Sequence, residues 1–248
     1  MFLLPPSDYK IKKTKVKGRG VFAVKEILAG TIIGDYLGVL IEDKKAAILE
    51  KKYHNACYSM DYNDNGLSIF PADIKAAGIH LINHSCAPNC DAYFYYGHTL
   101  YFALRRILPG EELTIDYGFD TENENEKDFL HPCFCGSPFC RGTMYANSVR
   151  LRSYGAYYRA ETKGQKFKEF PVGTILPPLE KYPATIKDNN IFNLFASLET
   201  VPLVYHDRKL PTISELRKRL RTTGRILNFK NLNLKVSAII EGKVVAAR

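Results

Sequence analysis

Asn83-His84-Ser85-Cys86-Ala87-Pro88-Asn89-Cys90 packs amide, imidazole, hydroxyl and thiol side chains into one short run, between the apolar Ile79 to Ile82 and the aromatic Tyr93 to Tyr96. Polar groups crowded into a core cost free energy unless each finds a partner, so the run has the character of a site. Downstream lies Glu111-Glu112-Leu113-Thr114-Ile115-Asp116-Tyr117-Gly118. Upstream, Lys17-Gly18-Arg19-Gly20-Val21-Phe22-Ala23 sets two glycines around one arginine just before a strand-like stretch. Glycine there permits φ > 0 and close approach of backbone to a ligand, although Gly-x-Gly alone equally fits a plain turn.

The cysteines add a metal signal. Cys133-Phe134-Cys135-Gly136-Ser137-Pro138-Phe139-Cys140 is C-x-C-x4-C, with turn formers between the thiols. Three thiolates call for a fourth ligand to close a tetrahedral zinc site with Zn–S bonds of about 2.3 Å. Cys86, Cys90, His84 and His131 are the candidates. The apolar start Met1 to Leu4 is stopped by Pro5-Pro6, short of a signal-peptide core, and no stretch approaches a membrane span. The expectation is a soluble protein in a reducing, intracellular compartment, where cysteines favour metal binding or free thiols over disulfides.

Taken together and in this order, Gly-x-Gly, Asn-His-Ser-Cys-x-Pro-Asn, Glu-Leu-Thr-x-Asp-Tyr-Gly and C-x-C-x4-C resemble the signature segments of SET-domain protein-lysine methyltransferases with a post-SET zinc motif. The resemblance covers about residues 10–145. It implies a mainly β fold, the SET-domain β-clip with a knot-like crossing of the two signature segments and a post-SET zinc segment. It implies S-adenosylmethionine as methyl donor and a structural zinc held by Cys86, Cys133, Cys135 and Cys140. Tyr117 then stands at the catalytic tyrosine. Lys17, Gly18, Arg19, Gly20, Tyr36, Asn83, His84 and Phe134 stand at cofactor-binding positions, and Tyr58, Ile115 and Phe119 at the lysine channel. Asp35 and Val39 stand where the family commonly has glutamate, and Ile115 where it usually has Phe or Tyr, a change that alters the space beside the amine and implies room for more than one methyl. Singly, Tyr36, Tyr58, Tyr117 or Phe119 would be ordinary core aromatics.

Domain boundaries follow from the extent of the resemblance. Residues 1–120 are expected to form the SET domain, 121–145 the zinc segment and 146–248 a small basic α+β region without a family. Residues 1–143 carry 16 Lys and Arg against 18 Asp and Glu, whereas 144–248 carry 19 against 8, which accounts for the net +9. The basic part is either a surface for nucleosomal DNA or another acidic partner, or a solvated face. Glu42 to Lys52 predicts a short helix, Tyr53 to Tyr62 a strand, Ala92 to Leu104 a hairpin around Gly97-His98, Pro211 to Arg221 a basic helix, and Ile240 to Val244 a hairpin. The acidic stretch Asp120 to Asp128 is a dock for a basic peptide or a solvated loop. The function expected is lysine methylation of a histone tail, in the nucleus or on chromatin, with export from a microbe into a host cell as one route. Methylation of a non-histone protein and a catalytically silent zinc-containing docking module are the alternatives; retention of Asn83, His84 and Tyr117 argues against the last.

Overall fold

In the computed structural model, residues 1–53, 57–62, 65–119, 131–137, 140–145, 164–183 and 185 are described, with the backbone of 237–240 and 243–246. Short strands dominate. β1 (Tyr9–Lys13) and β2 (Arg19–Ala23) form an antiparallel hairpin. β3 (Ile32–Asp35) leads to β4 (Val39–Glu42), α1 (Asp43–Lys52), β5 (Met60–Tyr62) and β6 (Leu67–Phe70). Then come β7 (Asn83–His84), β8 (Cys90–Tyr95), β9 (His98–Ala103) and β10 (Thr114–Ile115). Two three-stranded sheets, in the orders β3-β9-β8 and β4-β6-β5, contribute Ile33, Leu40, Ile69, Leu100 and Phe102 to the core.

The expected helix forms as α1, with Asp43 in its first turn and Lys51 and Lys52 in its last, the arrangement the helix dipole favours. Ala46 is its buried contact, packed with Ile41 and Phe70. Among the described residues of the expected strand, Met60–Tyr62 forms one. Before it, Glu50 Oε1 accepts the N–H groups of Tyr58 and Ser59, each at 2.8 Å, and the Ser59 hydroxyl at 2.7 Å, so these groups find a partner off the ladder. The β8–β9 hairpin turns at Tyr96 (φ 47°) and Gly97 (φ 82°), one residue earlier than Gly97-His98, because paired positive φ values suit the twist of a two-residue hairpin.

Residues 164–183 and 185 pack against this core, although the end of the resemblance after Tyr145 placed them in the C-terminal region. Gly173 N–H donates to Leu40 O at 2.7 Å, Leu40 N–H to Thr174 O at 2.9 Å, and Leu176 N–H to Gly38 O at 2.8 Å. Leu176 is fully buried in the main core cluster with Val21, Ile33 and Leu40. The buried Asp35 accepts the Tyr182 hydroxyl at 2.7 Å and pairs with His98 Nδ1 at 2.8 Å. An aspartate there thus helps to fasten the later segment. Farther on, β11 (Ser237–Ile240) and β12 (Lys243–Ala246) pair as the expected hairpin. The acidic stretch 120–128 and the basic helix expected at 211–221 lie outside the described residues.

Candidate active site and cysteine cluster

Parallel pairing of β7 with β10 sets Asn83 beside Thr114 and His84 beside Ile115. The two polar segments read from the sequence are therefore neighbours in space. Asn89 reinforces the junction: its Oδ1 accepts Thr114 N–H at 2.8 Å and its amide donates to Glu112 O at 2.9 Å. Tyr117 follows directly. Its backbone N–H donates to His84 Nδ1 at 3.1 Å, which places the ring proton of neutral His84 on Nε2, 3.4 Å from the Cys86 sulfur. Asp116 Oδ1 also approaches His84 Nδ1, at 3.4 Å, but the charge of Asp116 is met by Arg141 through a bidentate pair at 2.6 and 2.8 Å.

The Tyr117 hydroxyl donates to Ile82 O at 3.1 Å. Burial pushes its pKa up, and Cys57, Tyr58 and Glu112 add to the shift, so it stays a neutral phenol. Around it stand rings: Phe119 at 5.6 Å between centroids, then His131 at 4.9 Å from Phe119 and Tyr145 at 5.7 Å from His131. Cys57 closes this side, its sulfur 3.6 Å from His131 Nδ1. Burial, helped by Glu50, pushes the Cys57 thiol up to about 12, and burial lowers His131, so this wall carries no charge at neutral pH. Tyr58 packs edge-on against Phe70 and His80.

At the Gly-x-Gly turn, Gly18 has φ +73°, a conformation an L side chain resists. At Gly20 a Cβ would lie 2.7 Å from Glu112 Oε1 and 2.8 Å from Asn83 Nδ2, so a side chain there would push both groups aside. Asn83 donates to Arg19 O at 3.0 Å and to Glu112 Oε1 at 2.8 Å. Both amide hydrogens are thereby committed, and Oδ1 is the atom left to accept. Lys17 pairs with Glu112 Oε2 at 2.7 Å, while Arg19 reaches the carbonyls of Ile74 and Lys75.

The sulfurs of Cys86, Cys133, Cys135 and Cys140 all lie within 4.8 Å of one another. Tetrahedral Zn–S bonds of about 2.3 Å put sulfurs about 3.8 Å apart, and Cys86 and Cys133 sit at 3.6 Å. The donor set fits a closed structural zinc site. Crowding already splits the thiol acidities: contacts with the other thiols push Cys86 and Cys133 up, while Cys135 falls and Cys140 drops to about 6, led by its contact with Cys133. Of the four ligand candidates left open by spacing, Cys86 is the one in the cluster. Cys90 is buried and pushed up to about 12 by burial, and His131 turns to the aromatic wall.

The remaining residues named from the sequence fall as follows. Tyr36 is buried and its hydroxyl donates to Tyr58 O at 2.6 Å, which fixes the chain just before β5. Ile115 is buried in the main core cluster, opposite His84. Phe134 is 63% exposed beside Cys133. Sequence reasoning overlooked Arg141, Glu112, Glu50 and the wall role of His131, Cys57 and Tyr145. Only Arg141 had a local signal, its place directly after the last cysteine. A cavity of about 180 Å³ opens elsewhere, between Met1, Tyr36, Pro71, Gly78 and His80, and neither Asn83, His84 nor Tyr117 lines it.

The SET domain family model matches residues 18–118. Over 136 residues the chain is 37% identical to histone-lysine N-methyltransferase trithorax of Drosophila virilis, covering 52% of this chain and 3% of that protein. It is 36% identical over 138 residues to human histone-lysine N-methyltransferase 2B, covering 53% and 5%, and 33% identical over 156 residues to TRX1 of Oryza sativa subsp. japonica, covering 59% and 14%. The chain thus spans only a small part of the curated relatives it matches. Among solved structures, Arabidopsis thaliana SUVH6 in complex with SAM aligns with 29% identity and a TM-score of 0.43, covering 55% of this chain and 33% of that one.

Proposed function

We propose that the chain, whose residues 18–118 match the SET domain family model, is an S-adenosylmethionine-dependent protein-lysine N-methyltransferase acting on histone tails. The observation that carries this is the β7–β10 pairing, which brings Asn83 and the Gly18–Gly20 turn to one end of the junction and Tyr117 with its aromatic wall to the other. The relatives named above are histone-lysine methyltransferases, and the tail of a histone is the substrate class that follows from them.

S-adenosylmethionine, when bound, supplies an electrophilic methyl group on a cationic sulfur. The residues that would hold it are Lys17, Gly18, Arg19, Gly20, Asn83 and His84, with the exposed ring of Phe134 available to cover it. Asn83 Oδ1 is fixed as an acceptor for an amino group, because both of its N–H donors are already used. Tyr36 contributes by holding Tyr58 in place.

A lysine ammonium with an ordinary pKa of about 10.4 must lose its proton before its nitrogen can attack. The neutral wall of Phe119, His131, Tyr145 and Cys57 disfavours the charged form by desolvation. Tyr117, whose proton is directed to Ile82 O, keeps oxygen lone pairs to orient the incoming amine. Holding nucleophile and methyl group in line accounts for most of the acceleration. Ile115 brings no hydroxyl to the site, and we take the site to accept more than one methyl. Zinc in the four-cysteine cluster would cross-link residues 133–140 to Cys86 and so hold the wall segment against Tyr117, without touching the reacting atoms.

The test is transfer of labelled methyl from S-adenosylmethionine to purified histones, nucleosomes and ribosomal proteins. Label on a histone lysine supports the proposal. Label confined to a ribosomal protein moves the substrate, and no acceptor in the presence of bound cofactor refutes the enzyme.

A further inference from the structure

We propose that the outer face of the β1–β2 hairpin is a docking surface for the phosphate backbone of a nucleic-acid duplex. From Tyr9 to Lys25 the chain holds Lys10, Lys12, Lys13, Lys15, Lys17, Arg19 and Lys25 and no acidic residue. Three of the seven are engaged within the protein: Lys17 with Glu112, Lys25 with Asp8, and Arg19 with two backbone carbonyls. Lys10, Lys12, Lys13 and Lys15 are exposed. Lys12 lies over the Phe22 ring at 3.9 Å, and none of the four has an ion-pair partner among the described residues. Elsewhere in the domain the arginines Arg105, Arg106 and Arg141 pair with Glu111, Glu26 and Asp116.

The geometry suits phosphates. In β1, Tyr9 and Ile11 pack against the core while Lys10 and Lys12 alternate outward, opposite Phe22 and Gly20. Two strand residues span about 7 Å, close to twice the axial rise of about 3.4 Å per phosphate on one DNA strand. Lys13, at the end of β1 on the face of Tyr9 and Ile11, and Lys15, in the turn, add exposed charge beside this pair toward Gly18, the lip of the site described above. Val21 and Ala23 of β2 are buried, so the hairpin lies on a duplex rather than entering a groove, and it reads charge without reading bases. This inference does not depend on methyl transfer, because binding is measured without cofactor or peptide.

The experiment is fluorescence anisotropy with a labelled 30-base-pair DNA duplex and two full-length chains, wild type and one with Lys10, Lys12, Lys13 and Lys15 all changed to Gln. Residues 144–248 are also basic, and keeping them identical isolates the hairpin. Four phosphate contacts contribute about −3.6 to the slope of log K against log salt, and roughly a hundredfold loss of affinity between 50 and 200 mM. The expected result is a variant with unchanged melting temperature, a slope shallower by about that amount and duplex affinity reduced more than tenfold at 100 mM salt. If melting changes, the variant that keeps Lys12 and its ring contact is measured in its place. Equal affinity and slope in both chains overturn the proposal, as does a wild type that fails to bind at 50 mM. An equal loss of binding to sodium polyglutamate would assign the face to acidic proteins and overturn it too.

Discussion

Replacing Arg141 with Gln removes the guanidinium that pairs with both carboxylate oxygens of Asp116 at 2.6 and 2.8 Å. The Asp116 side chain is fully buried and that of Arg141 is 8% exposed, so water gives little compensation. Breaking one side of a buried ion pair typically costs about 3–5 kcal/mol. A second route gives a similar figure: a carboxyl with an ordinary pKa near 3.9 costs about 4 kcal/mol to keep protonated at pH 7. The variant should therefore lose about 3–4 kcal/mol in chemical denaturation at pH 7, followed by tyrosine fluorescence. Asp116→Asn in the same chain should restore part of it, since the uncompensated charge is gone. A loss under about 1 kcal/mol for Arg141→Gln, with no coupling in the double variant, would refute the buried clamp between the cysteine segment and the Tyr117 strand.

Three further outcomes follow from the geometry. Gly20→Ala should weaken S-adenosylmethionine binding at least about tenfold by calorimetry with little change in melting temperature, because its Cβ would press on Asn83 and Glu112. Leu176→Ala should cost about 2–5 kcal/mol, measured by urea denaturation, as expected for a fully buried leucine; a loss below 1 would mean that residues 164–185 are not part of the core. Burial lowers the His80 pKa below 6.5, with Arg19 and the N-terminus adding and the Ile74 carbonyl and Asp73 opposing. The unfolded chain then takes up the proton first, so this contribution is full above about pH 6.5 and lost as pH falls. His80→Gln should flatten the decline in stability between pH 7 and 5, measured by denaturation at each pH.

The site was legible where chemistry is concentrated in sequence. Asn83, His84 and Cys86 announce themselves as a polar run in an apolar setting, and C-x-C-x4-C already specifies three ligands. The pairing that joins them is not legible from periodicity, because β7 and β10 are two residues long and too short to show a pattern. Residues 164–185 were missed for a related reason: their proline-rich extended chain bonds to Gly38 and Leu40 with no strand pattern of its own. Arg141 reads as an ordinary surface cation until Asp116 is seen to be buried beneath it. The wall of Cys57, His131 and Tyr145 assembles from segments 74 or more residues apart and leaves no local trace.

The most direct measurement of the central claim is single-turnover methyl transfer from S-adenosylmethionine to the histone acceptor, run with calorimetric cofactor binding, for wild type and Tyr117→Phe. Equal cofactor affinity with transfer slowed by about a hundredfold or more is predicted, since the hydroxyl orients the amine and displacing it by even about 1 Å has a cost of that size. Equal transfer rates in the two proteins would contradict the assignment of Tyr117 and, with it, the account of this site.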